Sequence, residues 1–159
     1  MNITYLLLGS NQHQPDKQLV KAANFIQREI GSITRQSSLY QTAAWGNTKQ
    51  PDFLNQVIIV TTTLDAEQAM QTILSIEKKM GRVRTTKNAP RIIDIDIIFF
   101  NKEIIQTQLL TVPHPQIQNR KFVLIPLNQL SPNLKHPVLN KTIHHLLRIC
   151  KDGLTVNKI

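Results

Sequence analysis

Apolar positions change their period along this chain, and each change marks a new element. Ile3 to Leu8 is a short apolar run closed by Gly9-Ser10-Asn11. It predicts a buried strand followed by a turn. Asp16 then stands where a helix cap is expected. Leu19, Ala22, Ala23, Ile26 and Ile30 recur at helical spacing, and Gly31 sits in the place of a C-terminal cap. Ile33 to Thr42 reads as one second strand, polar enough to lie at a sheet edge. Residues 43–52, which hold Trp45, Gly46, Asn47 and Pro51, read as a loop. Phe53 to Thr62 is rich in β-branched residues and predicts an inner strand. Asp65 and Gln68 have the spacing of a capping box. The helix they start carries Ala66, Ala69, Met70, Ile73, Ile76 and Met80 as its apolar stripe and ends at Gly81. A basic loop runs on to Pro90, and Ile92 to Phe100 predicts a fourth strand.

The order βαββαβ predicts an α+β fold with a ferredoxin-like core: an antiparallel sheet with two helices packed on one face. The remainder is punctuated by proline, with a short helical segment near Ile143 to Ile149. It reads as a C-terminal appendage, so residues 1–159 are expected to form a single domain. The length agrees, because domains commonly run to roughly 100–200 residues. A hydrophobic fraction of 41% is enough to build a core.

Charge narrows the function. Nineteen basic residues against 10 acidic ones give +9, which favours a polyanionic partner: nucleic acid, a membrane surface or a phosphate-rich small molecule. No apolar run approaches the ~20 residues of a membrane span, and no signal-peptide pattern opens the chain. Cys150 is the only cysteine, which rules out an intrachain disulfide and suits a reducing compartment. Cys150 itself reads as a small buried hydrophobe near a helix end. The expectation is a cytoplasmic protein.

The sharpest local signal is Ile93-Asp94-Ile95-Asp96-Ile97. Alternate side chains of a strand share a face, so Asp94 and Asp96 project together, opposite the three isoleucines. Two neighbouring carboxylates in a cleft repel each other and need compensation, which a divalent cation supplies. Magnesium takes such oxygen ligands together with substrate phosphates. An isolated D-x-D is also compatible with an ordinary solvent-facing strand. Just upstream, residues 81–91 contain Arg82, Arg84, Lys87 and Arg91 and no acid. Arginines there can fork onto phosphate oxygens. Glu77 borders the apolar stripe of the second helix, where a carboxylate needs a partner. His114 lies between Pro113 and Pro115, which restrict the backbone around it. His144-His145 lacks metal-ligand helical spacing and reads as structural. Phe53 and Asn55 share one strand face and together can stack on and hydrogen-bond a flat heterocycle, although Phe53 also suits an ordinary core.

These residues in combination resemble the 6-hydroxymethyl-7,8-dihydropterin pyrophosphokinases of folate biosynthesis. The matching stretches are Leu8-Gly9-Ser10-Asn11, Ser38-Leu39-Tyr40-Gln41-Thr42, Gln50-Pro51-Asp52-Phe53-Leu54-Asn55, Glu77, Gly81-Arg82-Val83-Arg84, Pro90-Arg91, Asp94-Ile95-Asp96 and Leu110-Thr111-Val112-Pro113-His114. The resemblance implies transfer of diphosphate from ATP to a reduced pterin alcohol, releasing AMP. It implies that Asp94 and Asp96 bind two Mg2+ ions and, with Arg82 and Arg91, form the catalytic centre. Arg82 and Arg91 would contact phosphate, with Arg84 in a mobile loop over the site. Glu77, Thr111 and His114 would hold the nucleotide, with Arg120 near its phosphates. Phe53 and Phe122 would sandwich the pterin, and Asn55 with Thr42, Ala43 and Trp45 would read its edge. Ala89, Leu109 and Pro115 depart from the residues usual in the family. The implied partners are ATP and the pterin, with no nucleic acid and no membrane, and the protein is expected to be a monomer.

Two other classes remain open on sequence. A basic ferredoxin-like domain can bind RNA, but the aromatic signature such sheets use for base stacking is missing. D-x-D also serves other metal-dependent phosphotransferases and nucleases, which would not need Phe53 and Phe122 facing each other.

Overall fold

The computed structural model describes residues 1–44, 49–83 and 89–159. In chain order the elements are β1 (Asn2–Ser10), α1 (Pro15–Glu29), β2 (Gly31–Gln36), β3 (Tyr40–Thr42), β4 (Phe53–Thr62), α2 (Ala66–Lys79) and β5 (Asp94–Phe100). They are followed by β6 (Ile105–Gln106), β7 (Thr111–Val112), a 3-10 turn (Ile117–Asn119), α3 (Lys121–Leu130), α4 (Ile143–Ile149) and β8 (Val156–Lys158). The main sheet runs β5-β1-β4-β3-β8, with β2 also on β4, and every pairing in it is antiparallel. β6 and β7 form a separate small ladder.

Alternation along β1 builds two cores. Leu6 and Leu8 point to one face and join Leu19, Ala22 and Ile26 of α1 with Ala69, Ile73 and Ile76 of α2. Leu7 points to the other, where Val57, Ile59, Ile98 and Phe99 meet Val123, Leu124 and Leu127 of α3 and Ile143 and Leu146 of α4. Each fully buried aliphatic side chain contributes about 1.5–3 kcal/mol. Helices therefore cover both faces. The expectation of helices on one face misses α3, whose Pro126 lies inside the helix and hides it in the sequence.

Three local expectations are corrected. Asp16 does not cap α1: the helix starts at Pro15, where the missing N–H costs nothing, and Asp16 lies in its first turn. Gly31 does not cap the helix either, because it opens β2. A Cβ there would lie 2.0 Å from the Thr61 carbonyl oxygen, so only glycine fits. The expected single strand from Ile33 to Thr42 is two strands. Ser37 interrupts it by bonding to Val57 with both its backbone N–H (2.9 Å) and its Oγ, which accepts the Val57 N–H at 3.0 Å.

The capping box of α2 is present. Asp65 Oδ1 accepts the Gln68 N–H at 2.8 Å, and Gln68 Oε1 accepts the Asp65 N–H at 3.0 Å. Gly81 follows the helix with φ 92°. A bulge breaks the register of β1 and β5: Leu6 faces Ile97 but Tyr5 faces Phe99. Ile98 and Phe99 consequently both reach the α3–α4 side, and Phe100 returns to the α1–α2 side. His136 is buried at a tight turn, where its Nδ1 accepts the N–H groups of Val138 (3.1 Å) and Leu139 (3.0 Å). Cys150 caps α4 and is only half-buried against the same core. Among the described residues no helix is long and apolar enough to cross a membrane.

Candidate active site

On the α3–α4 side the sheet is not covered to its end. Beyond the edge of α3 lies a pocket lined by Leu7, Gly9, Thr42, Ala43, Phe53, Asn55, Arg91, Asp94, Asp96, Arg120 and Phe122. Its floor follows from strand parity. Leu7 and Gly9 of β1 face Asp96 and Asp94 across one ladder, and Gly9 faces Asn55 across the other. Gly9 keeps the floor open, since a Cβ there would sit 3.1 Å from Asn55 Oδ1 and 3.8 Å from the Phe53 ring.

The charges form a chain. Arg82 Nη1 donates to Glu77 Oε2 at 2.8 Å and to Asp94 Oδ1 at 2.7 Å, and Arg91 Nη1 donates to Asp94 Oδ2 at 3.2 Å. Glu77 is 3% exposed and also accepts the backbone N–H of Ile95 at 2.8 Å. It thus fixes both Arg82 and the start of β5, which explains a carboxylate on an apolar helix face. Burial acts to lower the Arg82 pKa, but Asp94 and Glu77 outweigh it and hold the guanidinium charge more firmly. Asp96 is pushed well above the usual carboxylate range. Burial is the main cause, Asp94 and Glu77 add to it, and Arg120 and Arg82 oppose it.

The rings carry cations. Arg91 lies over Phe53 at 5.8 Å from its centroid, and Arg120 over Phe122 at 5.7 Å. Burial lowers the pKa of Arg120, with Asp96 and Asp94 pulling the other way. The buried Nδ2 of Asn55 has no hydrogen-bond partner among the described residues. A buried donor left unpaired costs about 1–3 kcal/mol, so it marks a place where a ligand acceptor would be stabilising.

Most expected site residues converge. Thr42, Ala43, Phe53, Asn55, Arg91, Asp94, Asp96, Arg120 and Phe122 share the pocket, and Glu77 and Arg82 join it through ion pairs. His114 lies outside the lining. Its backbone N–H donates to the Ile98 carbonyl at 3.0 Å and its Nδ1 accepts from Gln116. Burial, then Arg120, lowers its pKa against the pull of Asp94. Thr111 is exposed on β7, away from the pocket lining. Trp45 and Arg84 fall outside the described residues.

Sequence reasoning gave Leu7, Gly9 and Asn11 no role in the site: Gly9 and Asn11 read as a turn after the first strand and as part of a family-matching stretch, whereas β1 runs on to Ser10. Asn11 is buried. Its Nδ2 donates to Gln50 Oε1 (2.7 Å) and the Pro51 carbonyl (3.1 Å), and its Oδ1 accepts the Arg91 N–H at 2.9 Å. One amide therefore ties β1 to the approach to β4 and to Arg91. Its signal was a polar residue directly after a buried strand.

Residues 5–132 match the sequence model of the 7,8-dihydro-6-hydroxymethylpterin-pyrophosphokinase (HPPK) family. The chain is similar to the 2-amino-4-hydroxy-6-hydroxymethyldihydropteridine pyrophosphokinase of Aquifex aeolicus, 38% identical over 90% of this chain and 89% of that protein. It is also 35% identical, over 99% of its length, to the folic acid synthesis protein FOL1 of Dictyostelium discoideum, of which it spans 24%. Among solved structures it resembles Plasmodium falciparum HPPK-DHPS with pteroate, with a TM-score of 0.77 and 20% identity. That match covers 92% of this chain and 42% of the Plasmodium one, and it supports the mixed helix and antiparallel-sheet fold. The chain belongs to the 7,8-dihydro-6-hydroxymethylpterin-pyrophosphokinase family.

Proposed function

We propose that the pocket over β1, β4 and β5 is where this pyrophosphokinase of folate biosynthesis transfers diphosphate from its co-substrate ATP to a reduced hydroxymethylpterin. The observation that carries the site assignment is convergence. Two carboxylates, two aromatic rings, a buried amide whose Nδ2 has no partner among the described residues, and several arginines, drawn from distant parts of the chain, line or border one cavity.

Phe53 and Phe122 stack on the pterin from either side, and Asn55 Nδ2 finds its acceptor on the ring edge. Thr42 and Ala43 complete that edge. The pterin hydroxyl oxygen attacks the β-phosphorus of ATP. The new O–P bond forms as the bond from that phosphorus to the α–β bridging oxygen breaks, and the hydroxyl proton is lost as AMP leaves. Such transfer needs positioning and charge stabilisation more than covalent catalysis. Arg82 and Arg91 now neutralise Asp94, and a bound polyphosphate would compete for the same guanidiniums. Arg120 stands beside Asp96 to meet phosphate charge, and Arg84 adds to it. His114 and Thr111 support the nucleotide from the β7 side.

The donor chemistry fits magnesium, with two ions expected. Asp94 and Asp96 are hard oxygen ligands, and the pKa of Asp96, raised first by burial and then by Asp94 and Glu77, shows a carboxylate whose charge a cation would stabilise. Magnesium held there would neutralise the triphosphate and orient its oxygens. Glu77 orders this centre through Arg82 and Ile95 and does not face the cavity itself.

The strand order β5-β1-β4 followed by β2 and β3 supports a ferredoxin-like βαββαβ core, with the later residues as its elaboration within one domain. The working unit in this reading is a monomer. The basic charge is accounted for by polyphosphate, so no nucleic-acid partner or membrane enters this reading. Purified protein with ATP, magnesium and the reduced pterin alcohol should yield AMP and pterin diphosphate in equal amounts. ADP as the nucleotide product would defeat the assignment.

A further inference from the structure

We infer that residues 152–158 strap the two walls of the pterin pocket together, and that Asp152 is a positioning residue for substrate binding. This rests on the pocket assignment above and goes beyond it, because the segment lies outside the family match at 5–132.

α3 begins at Lys121, with Arg120 before it making no side-chain cap. The first N–H groups of a helix need acceptors from elsewhere. Asp152 supplies one from 31 residues further on: its Oδ2 accepts the Lys121 N–H at 3.0 Å. Its Oδ1 accepts the Leu154 N–H at 3.0 Å, which folds the following residues back. The Thr155 carbonyl then accepts from Thr42 Oγ1 at 3.2 Å, and β8 adds itself to β3 with Val156 opposite Thr42.

The strap's attachments therefore bracket the pocket. One end holds the turn that carries Arg120 and Phe122, and the other holds the strand that carries Thr42 and leads into Ala43. The carboxylate also acts on Arg120 electrostatically. Releasing it frays the first turn of α3, so the Phe122 ring loses its fixed position in the pocket wall. A positioned ring loses less freedom on binding than a mobile one, so affinity falls.

The test measures binding of the reduced hydroxymethylpterin by its fluorescence, with magnesium and a saturating nonhydrolysable ATP analogue, in wild type and Asp152→Ala. The Kd for the pterin should rise about tenfold, consistent with loss of a charge-assisted bond. The KM for the pterin should rise with it, and by more than the KM for ATP, which moves only through Arg120 on the same turn. A folded variant with a lower melting temperature but wild-type pterin Kd would overturn the strap and leave only a stabilising contact. If Asp152→Ala does not fold, Asp152→Asn, which keeps one accepting oxygen, is read the same way with a rise of about threefold. Wild type that fails to bind the pterin would overturn the pocket assignment and this inference together. Wild type that binds, with folded variants that match it, removes only the strap.

Discussion

The two faces of the sheet share three strands and yet do opposite things. Toward α1 and α2, Leu6, Leu8, Ile58, Val60, Ile95 and Ile97 are sealed beneath two amphipathic helices, and the buried Thr4 and Thr62 hydroxyls on that face donate to the Phe99 and Ile30 carbonyls. Toward α3 and α4, the same strands change character halfway. Leu7, Val57, Ile59, Ile98 and Phe99 build a core at one end, while Gly9, Phe53, Asn55, Asp94 and Asp96 face a cavity at the other. The lesson concerns where polar cost can be carried. A crowded pair of half-buried carboxylates, and a buried amide Nδ2 with no partner among the described residues, are unfavourable, and they are held in place by a reverse face whose buried Thr4 and Thr62 hydroxyls are paired.

Four experiments can break or sharpen that contrast. Asp96→Ala should have the largest effect: kcat should fall about 10³-fold, roughly 4 kcal/mol of barrier. Its melting temperature should hold or rise, because a crowded carboxylate has been removed. Near-normal AMP production at saturating magnesium would sink the acidic centre. On the reverse face, Ile73→Ala should do the converse. It should cost about 2–5 kcal/mol in denaturant melts while kcat per folded molecule stays close to wild type. A large kcat loss there would show that the faces are not separable.

Gly9→Ala lies between these extremes. Its methyl group enters the cavity floor near Asn55, so the KM for the pterin should rise about tenfold, with stability changed by under about 1 kcal/mol. Unchanged pterin affinity would mean that the floor is not where the ring lies. The smallest effect is expected from acid. Burial lowers the pKa of His136, so the unfolded chain takes up the proton more readily than the folded one. Stability should be intact above the ordinary histidine value of 6.5 and fall as pH drops below it. Melts at about pH 7.5 and about pH 5.5 check this, and His136→Gln should lose part of the slope, with His114, whose pKa burial also lowers, supplying another part. An unaltered slope would place the responsible group elsewhere.

Much of this was legible in the sequence where one physical rule dominates. The apolar period of α2 and its Asp65–Gln68 box placed the helix correctly, because capping and amphipathicity agree there. Strand parity put Asp94 and Asp96 in one pocket without any knowledge of the partner strands. The rest depends on contacts distant in sequence. Gly31 looks like a helix cap until Thr61 is known to press against it. α3 was missed because Pro126 argues against a helix locally, while the buried Val123, Leu124 and Leu127 stabilise one through packing. β8 is three residues at a sheet edge and has no pattern of its own. Gly9 belongs to the pocket only because Asn55 happens to face it.

The bulge in β5 has a consequence for what this strand can tolerate. Before it, odd-numbered residues face the α1–α2 core; after it, even-numbered Phe100 does. The strand is thus written in two phases, joined by one supernumerary residue whose carbonyl also anchors His114. Excising Ile98 would restore unbroken alternation, leaving the acidic pair and both large rings on their present sides, but it would remove an apolar side chain from the α3–α4 core and the carbonyl that holds His114. The extra residue thus serves the second core and the placement of His114, while the two rings beyond it would find their faces without it.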